Sequence, residues 1–134
     1  MNVLTTVLLF SLFAAIQALS SDEITKLKGY YDDCVKSTNV NVELILKARK
    51  GEFSSDANLQ KYFFCMFNKI GIINENGSVQ IDVIRDKIPA DVNKEDAEKI
   101  IAACKDKIGK DKYDTAREIY ECYYTLSPKH IVFA

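Results

Sequence analysis

The four cysteines are the residues of this sequence with the most definite chemistry: Cys34, Cys65, Cys104 and Cys122. Their spacing contains no Cys-x-x-Cys pair and brings no histidine nearby, so a zinc site is not indicated. In an exported chain of this size, four cysteines are expected to form two disulfides. The cysteines are therefore predicted to be structural, and the sequence alone leaves three pairings open.

Residues for covalent or acid–base catalysis are scarce. The single histidine, His130, has no carboxylate beside it in the sequence, and no Gly-x-Ser-x-Gly motif occurs. With every cysteine assigned to a disulfide, neither a thiol nor a serine nucleophile has an evident base. We expect a protein that is not an enzyme and that needs no cofactor and no metal.

The first 20 residues predict a secretory signal peptide. No charged side chain precedes Asp22, and the apolar run Val7–Ala15 is too short to span a membrane. Small residues at Ala18 and Ser20 suit cleavage after either one. Residues 21–134 would then form one domain in an extracellular fluid.

Charge gives no support to nucleic-acid binding. The 18 basic and 19 acidic residues give a net charge of −1, and the two signs are interspersed. The densest basic group, Lys47–Lys50, is most simply a solvated helix end.

Helical periodicity dominates the rest of the chain and predicts an all-α fold. A capping box at Ser20 and Glu23 is expected to open the first helix, and Asn93 to cap the fifth. The turn "INENGSV" contains a glycosylation sequon at Asn76. The six predicted helices cover the segments "SSDEITKLKGYYDDCVKS", "VELILKARKG", "SSDANLQKYFFCMFNKIG", about Val79–Lys87, "NKEDAEKIIAACKDKIG" and about Tyr113–Thr125.

Aromatic residues concentrate on the third helix. Phe63, Phe67 and Ile70 follow one another at i, i+4 and i+7, which places them on one face. Such a stripe usually fills a core, and a filled core with an exposed apolar patch would suit a helical signalling protein. The same rings on short crossing helices can instead enclose a cavity, and composition does not decide between these readings.

The cysteine spacing also resembles that of a known family. Thirty residues lie between the first two cysteines, 38 between the next two and 17 between the last two. Together with "LKARKGEF", "CMFNKIGIINENG" and an ending of the form Cys-x5-Pro-x4-Phe, this resembles insect odorant-binding proteins of the four-cysteine "minus-C" subgroup. In the six-cysteine pattern of that family, Lys61 and Tyr113 occupy the positions of the missing bridge.

The resemblance implies a structure and a function. The expected pairs are Cys34–Cys65 and Cys104–Cys122, within a compact six-helix fold around an internal apolar cavity. The hydroxyl of Tyr30 or Tyr123 would bond the polar end of a ligand. By family position the cavity wall would comprise Tyr30, Phe64, Phe67, Ile70, Ile72, Ile73, Val79, Ile84, Ile88, Ile100, Ala103, Ile119, Tyr123 and Phe133.

A protein of this kind would carry odorants, pheromones or similar lipid-like molecules through sensillum lymph. The alternative within the same fold is a lipid carrier of haemolymph or accessory-gland fluid. The partners implied are a small hydrophobic molecule and, indirectly, a membrane odorant receptor, with no nucleic acid. The chain would be a monomer or a weak homodimer.

Overall fold

The computed structural model describes residues 21–127, and these form an all-α domain of six helices. The helices are α1 (Ser21–Thr38), α2 (Val42–Ala48), α3 (Ala57–Ile70), α4 (Ile81–Lys87), α5 (Lys94–Cys104) and α6 (Lys112–Leu126). The predicted fold class is confirmed. The signal peptide, the Ser20 capping box, His130 and the tail residue Phe133 lie outside the described residues.

Local capping chemistry sets several of the helix ends. The Asp56 side chain accepts a hydrogen bond from the Leu59 amide at 2.9 Å, and α3 ends at Gly71 with φ of 95°. A residue with a side chain rarely adopts that left-handed conformation, which explains the glycine. Asn93 caps α5 as predicted, by accepting from the amides of Glu95 and Asp96.

The start of α4 was predicted wrongly. The helix begins at Ile81 rather than near Val79, because Val79 forms an isolated antiparallel bridge with Ile73 across the intervening turn. The turn itself was predicted, and Gly77 in it has φ of 91°.

Two disulfides join the helices in the pairs that the resemblance implies. Cys34–Cys65 links α1 to α3 with Cα atoms 5.7 Å apart, and Cys104–Cys122 links α5 to α6 with Cα atoms 5.8 Å apart. Each is expected to stabilise the fold by about 2–4 kcal/mol. Together with the packing of α3 against α6, these links tie four of the six helices into one frame.

Helix α3 lies at the centre of the core. Its buried side chains are Leu59, Tyr62, Phe63, Phe64, Met66 and Phe67. The ring of Phe63 stacks on that of Tyr120 from α6 with centroids 4.4 Å apart. No helix within residues 21–127 is both long enough and apolar enough to cross a membrane.

Candidate ligand-binding site

A small apolar cavity lies between α3, α4 and α6. It is lined by Phe67, Ile72, Ile84, Ile119, Tyr120 and Tyr123. Its volume is about 10 Å³, close to the smallest that can hold one water molecule. A ligand of drug or odorant size is therefore too large for the cavity in this conformation and can enter only if the wall moves.

The wall follows from the helical repeat. Ile119 and Tyr123 are four residues apart on α6 and lie on the same face, with Tyr120 beside them. Opposite them, Phe67 comes from the last turn of α3 and Ile72 from the segment just after it. Ile84 is the one residue of α4 that is fully buried, so α4 places a single side chain over the cavity.

Two tyrosines of this wall carry buried hydroxyls that have no partner within residues 21–127. The hydroxyls of Tyr120 and Tyr123 are buried and make no hydrogen bond within residues 21–127. Burial raises the pKa of each to about 12, so both hydroxyls are neutral donors at physiological pH. An unsatisfied buried hydroxyl costs about 1–3 kcal/mol, and a ligand oxygen that reached either hydroxyl as the wall moved would recover part of that cost.

An exposed ion pair holds α4 beside the cavity. Arg85 on α4 donates two hydrogen bonds to Glu98 on α5, at 2.6 and 3.2 Å. The arginine lowers the pKa of the Glu98 carboxyl, and the carboxylate raises the pKa of Arg85. Both groups also act on the nearby Tyr123 hydroxyl, whose pKa Arg85 lowers and Glu98 raises.

The structure brings five of the predicted wall residues together at the cavity. These are Phe67, Ile72, Ile84, Ile119 and Tyr123. Tyr120 was missed, although its position next to Ile119 and three residues before Tyr123 places it on the same face of α6. The second tyrosine that lines the cavity with Tyr123 is therefore Tyr120, and not Tyr30. Tyr30 is half-buried elsewhere, with the Nζ of Lys69 over its ring.

The other predicted wall residues lie elsewhere. Ile73 is fully buried in the core without lining the cavity. Ala103 is exposed on α5, because its neighbours Ile101 and Cys104 take the inward face of that helix. Phe64 lines an outer groove instead. Half-buried positions against the core are occupied by Ile70, Val79, Ile88 and Ile100.

The positions of the missing bridge are filled by a lysine and a tyrosine in contact. The Nζ of Lys61 lies 5.9 Å from the ring centroid of Tyr113. That ring meets the edge of Phe64 with centroids 5.3 Å apart. At this point α3 and α6 are held by packing and by cation–π contact. No group of three or more potential metal ligands occurs within the described part of the chain.

Comparisons with known proteins agree with this geometry. Residues 17–125 match the model of the PBP/GOBP family. Odorant-binding protein 10 of Aedes aegypti is 30% identical over 124 residues, which is 88% of each chain.

Two solved structures share the fold. Odorant-binding protein 4 of Chrysopa pallens has a TM-score of 0.70 and 25% identity, over 84% of this chain and 97% of that one. OBP56a from the oral disk of the blowfly Phormia regina is described as a fatty acid binding protein. It has a TM-score of 0.68 and 28% identity, over 83% and 96% of the two chains.

Proposed function

The chain belongs to the PBP/GOBP family of insect odorant-binding proteins, and we propose that it carries a small hydrophobic ligand whose polar end accepts a hydrogen bond. The observation that carries the proposal is the cavity wall, whose surface is hydrocarbon and two of whose residues, Tyr120 and Tyr123, carry buried hydroxyls with no partner within residues 21–127. The four cysteines and two disulfides fit the minus-C subgroup.

The ligand class follows from the wall. Its remaining residues are one phenylalanine and three isoleucines, so binding rests on apolar burial at roughly 25 cal/mol per Å². Micromolar affinity needs about 8 kcal/mol, which a chain of about ten to fifteen carbons can supply. Two neutral donors suit an alcohol, aldehyde, ester or carboxylic acid. The fatty acid named for the blowfly relative is a molecule of this class and supports the proposal.

Binding requires the cavity to grow to roughly 300 Å³ or more. Helix α4 is the element whose movement would open it at least cost. It has seven residues, buries only Ile84 completely and is joined to α5 by an exposed ion pair. Helices α3 and α6 are held by disulfides and by the aromatic core, so we propose that they stay in place while α4 shifts.

Secretion completes the proposal. A signal peptide over residues 1–20, with cleavage after Ala18 or Ser20, would deliver residues 21–134 to an extracellular fluid. There the chain, as a monomer or weak homodimer, would keep the ligand out of water on its way to a membrane odorant receptor. Delivery in haemolymph or glandular fluid would use the same cavity.

A displacement assay tests the carrier role. A neutral fluorescent apolar probe such as N-phenyl-1-naphthylamine should bind and be displaced by dodecan-1-ol at micromolar concentration. Replacement of Ile84 by Trp should weaken probe binding at least tenfold, because the larger side chain fills the space that the ligand needs.

Ile108→Trp is the matched control, since Ile108 is 79% exposed and does not line the cavity. Circular dichroism would verify that both variants keep their helices. Failure of the wild-type protein to bind the probe, or equal binding by the Ile84 variant, would contradict the proposed site.

A further inference from the structure

A second concavity, which we call the outer groove, lies where α1, α3 and the start of α6 meet. Its volume is about 390 Å³, and it shares no lining residue with the internal cavity. It is lined by Ser37, Thr38, Lys61, Phe64, Cys65, Asn68, Lys69 and Tyr113. The groove therefore has room for a small molecule in the same structure in which the internal cavity has a volume of only about 10 Å³.

The floor of the outer groove is aromatic. Phe64 is 8% exposed, and Tyr113 is half-buried with its ring meeting Phe64 nearly at right angles. Two rings in this arrangement leave an apolar corner in which a flat aromatic ligand can stack or meet a ring edge.

The rim of the outer groove is positively charged. Lys61 lines the groove, with its Nζ 5.9 Å from the Tyr113 ring centroid. Lys112 is not a lining residue but adjoins the groove, with its Nζ 4.8 Å from the Phe64 ring centroid and 5.4 Å from that of Tyr113. Within residues 21–127 neither ammonium group forms a salt bridge; Lys112 donates only to the backbone carbonyl of Glu75. A third lysine, Lys69, is paired at 3.8 Å with the exposed Asp33.

The nearest buried carboxylate does not neutralise this charge. Asp114 lies on the first turn of α6, but its oxygens are bonded to Arg117 and to the amide of Lys110. One ammonium group in the groove wall, Lys61, and a second beside it, Lys112, therefore lie against the two rings, and the exposed Ser37 also lines the groove.

We infer that the outer groove binds a small aromatic monoanion, of which an aryl carboxylate is the simplest form. The aromatic rings would pack on Phe64 and Tyr113, and the carboxylate would lie between Lys61 and Lys112. A neutral ligand would leave both ammonium groups without an anionic partner, and an inorganic anion would make no use of the aromatic floor. The bridge of six-cysteine proteins would replace both Lys61 and Tyr113, so its absence is what provides this site.

The test is a titration with 2-naphthoate, followed by backbone amide NMR, with the internal cavity first saturated with dodecan-1-ol. Shifts are expected at Lys61, Phe64 and Tyr113, and 2-naphthalenemethanol should bind at least threefold more weakly. Lys61→Met and Lys112→Met should each weaken naphthoate binding about two- to fivefold, as expected for exposed ion pairs. Lys99→Met, at an exposed lysine of α5 outside the groove, should leave the affinity unchanged.

Three results would overturn the inference: no shift of these amides at 5 mM 2-naphthoate, equal affinity for the neutral analogue, or competition between naphthoate and dodecan-1-ol. The third would place the anion in the internal cavity. The inference does not depend on the carrier role, because the same titration without dodecan-1-ol reports on the groove even if the alcohol fails to bind.

Discussion

Replacing Tyr120 or Tyr123 by Phe should raise the stability of the fold and lower its affinity for a ligand that accepts a hydrogen bond. Each change removes one buried hydroxyl that has no partner within residues 21–127 and keeps the ring. In the Tyr120 variant the retained ring keeps its stack on Phe63, with ring centroids 4.4 Å apart. Since an unsatisfied hydroxyl costs about 1–3 kcal/mol, each variant should be more stable than wild type by roughly 0.5–2 kcal/mol.

For a domain of about 100 residues, 1 kcal/mol corresponds to roughly 4–8 °C in melting temperature. Ligand binding should change the other way, because the net value of one hydrogen bond is about 0.5–1.5 kcal/mol. Affinity for dodecan-1-ol should fall roughly two- to tenfold in at least one variant, while affinity for dodecane stays the same. With the pKa of both tyrosines near 12, this difference should be constant between pH 5 and pH 9.

Tyr124→Phe is the matched control. The Tyr124 hydroxyl donates to the carbonyl of Arg49 at 3.1 Å, so its loss should destabilise the fold by about 0.5–1.5 kcal/mol without altering ligand affinity. Thermal melts and probe displacement on all three variants decide the matter. If the Tyr120 and Tyr123 variants lose as much stability as the Tyr124 variant, their hydroxyls have a partner in the ligand-free protein and the reasoning fails.

Three further predictions concern the frame around the site. Asp114 has its pKa lowered by the Lys110 amide and by Arg117, so Asp114→Asn should cost about 1.5–3 kcal/mol at pH 7. The stability that the Asp114 carboxylate contributes is present above the ordinary carboxyl pKa of 3.8 and is lost as the pH falls through the lower pKa of the folded state. The urea midpoints of wild type and of the Asp114→Asn variant should therefore converge by pH 2. The double variant Lys61→Cys with Tyr113→Cys would close a loop of about 50 residues, which should stabilise the fold by about 4 kcal/mol. The loss of the Tyr113 ring contacts would offset about 1–2.5 kcal/mol of this gain. A higher melting temperature and slower probe release are expected, and a bond verified by mass spectrometry with neither change would refute this. Gly109→Ala should destabilise by about 1–3 kcal/mol, because the new Cβ would lie 2.6 Å from the backbone carbonyl carbon of Asp114; an unchanged melting temperature would contradict it.

The sequence by itself determined the features that depend on local interactions. Asp56, Gly71 and Asn93 mark helix ends through hydrogen bonds and backbone preferences that span only a few residues, so those ends were predictable. The cysteine spacing, through the family it resembles, also implied the disulfide pairs that the structure contains. The start of α4 was not predictable in this way, because it depends on the pairing of Val79 with Ile73.

Tertiary structure alone decided which apolar residues enclose the cavity and how large it is. Tyr120 and Ala103 show the reason. Tyr120 was not among the predicted wall residues and Ala103 was, yet the rotation of α6 turns Tyr120 inward and that of α5 leaves Ala103 exposed. Helical periodicity predicts a face, but the rotation of that face against its neighbours depends on contacts between residues far apart in the chain. The closed cavity and the lysine-rimmed groove both result from such contacts, since each is bounded by side chains from three separate segments.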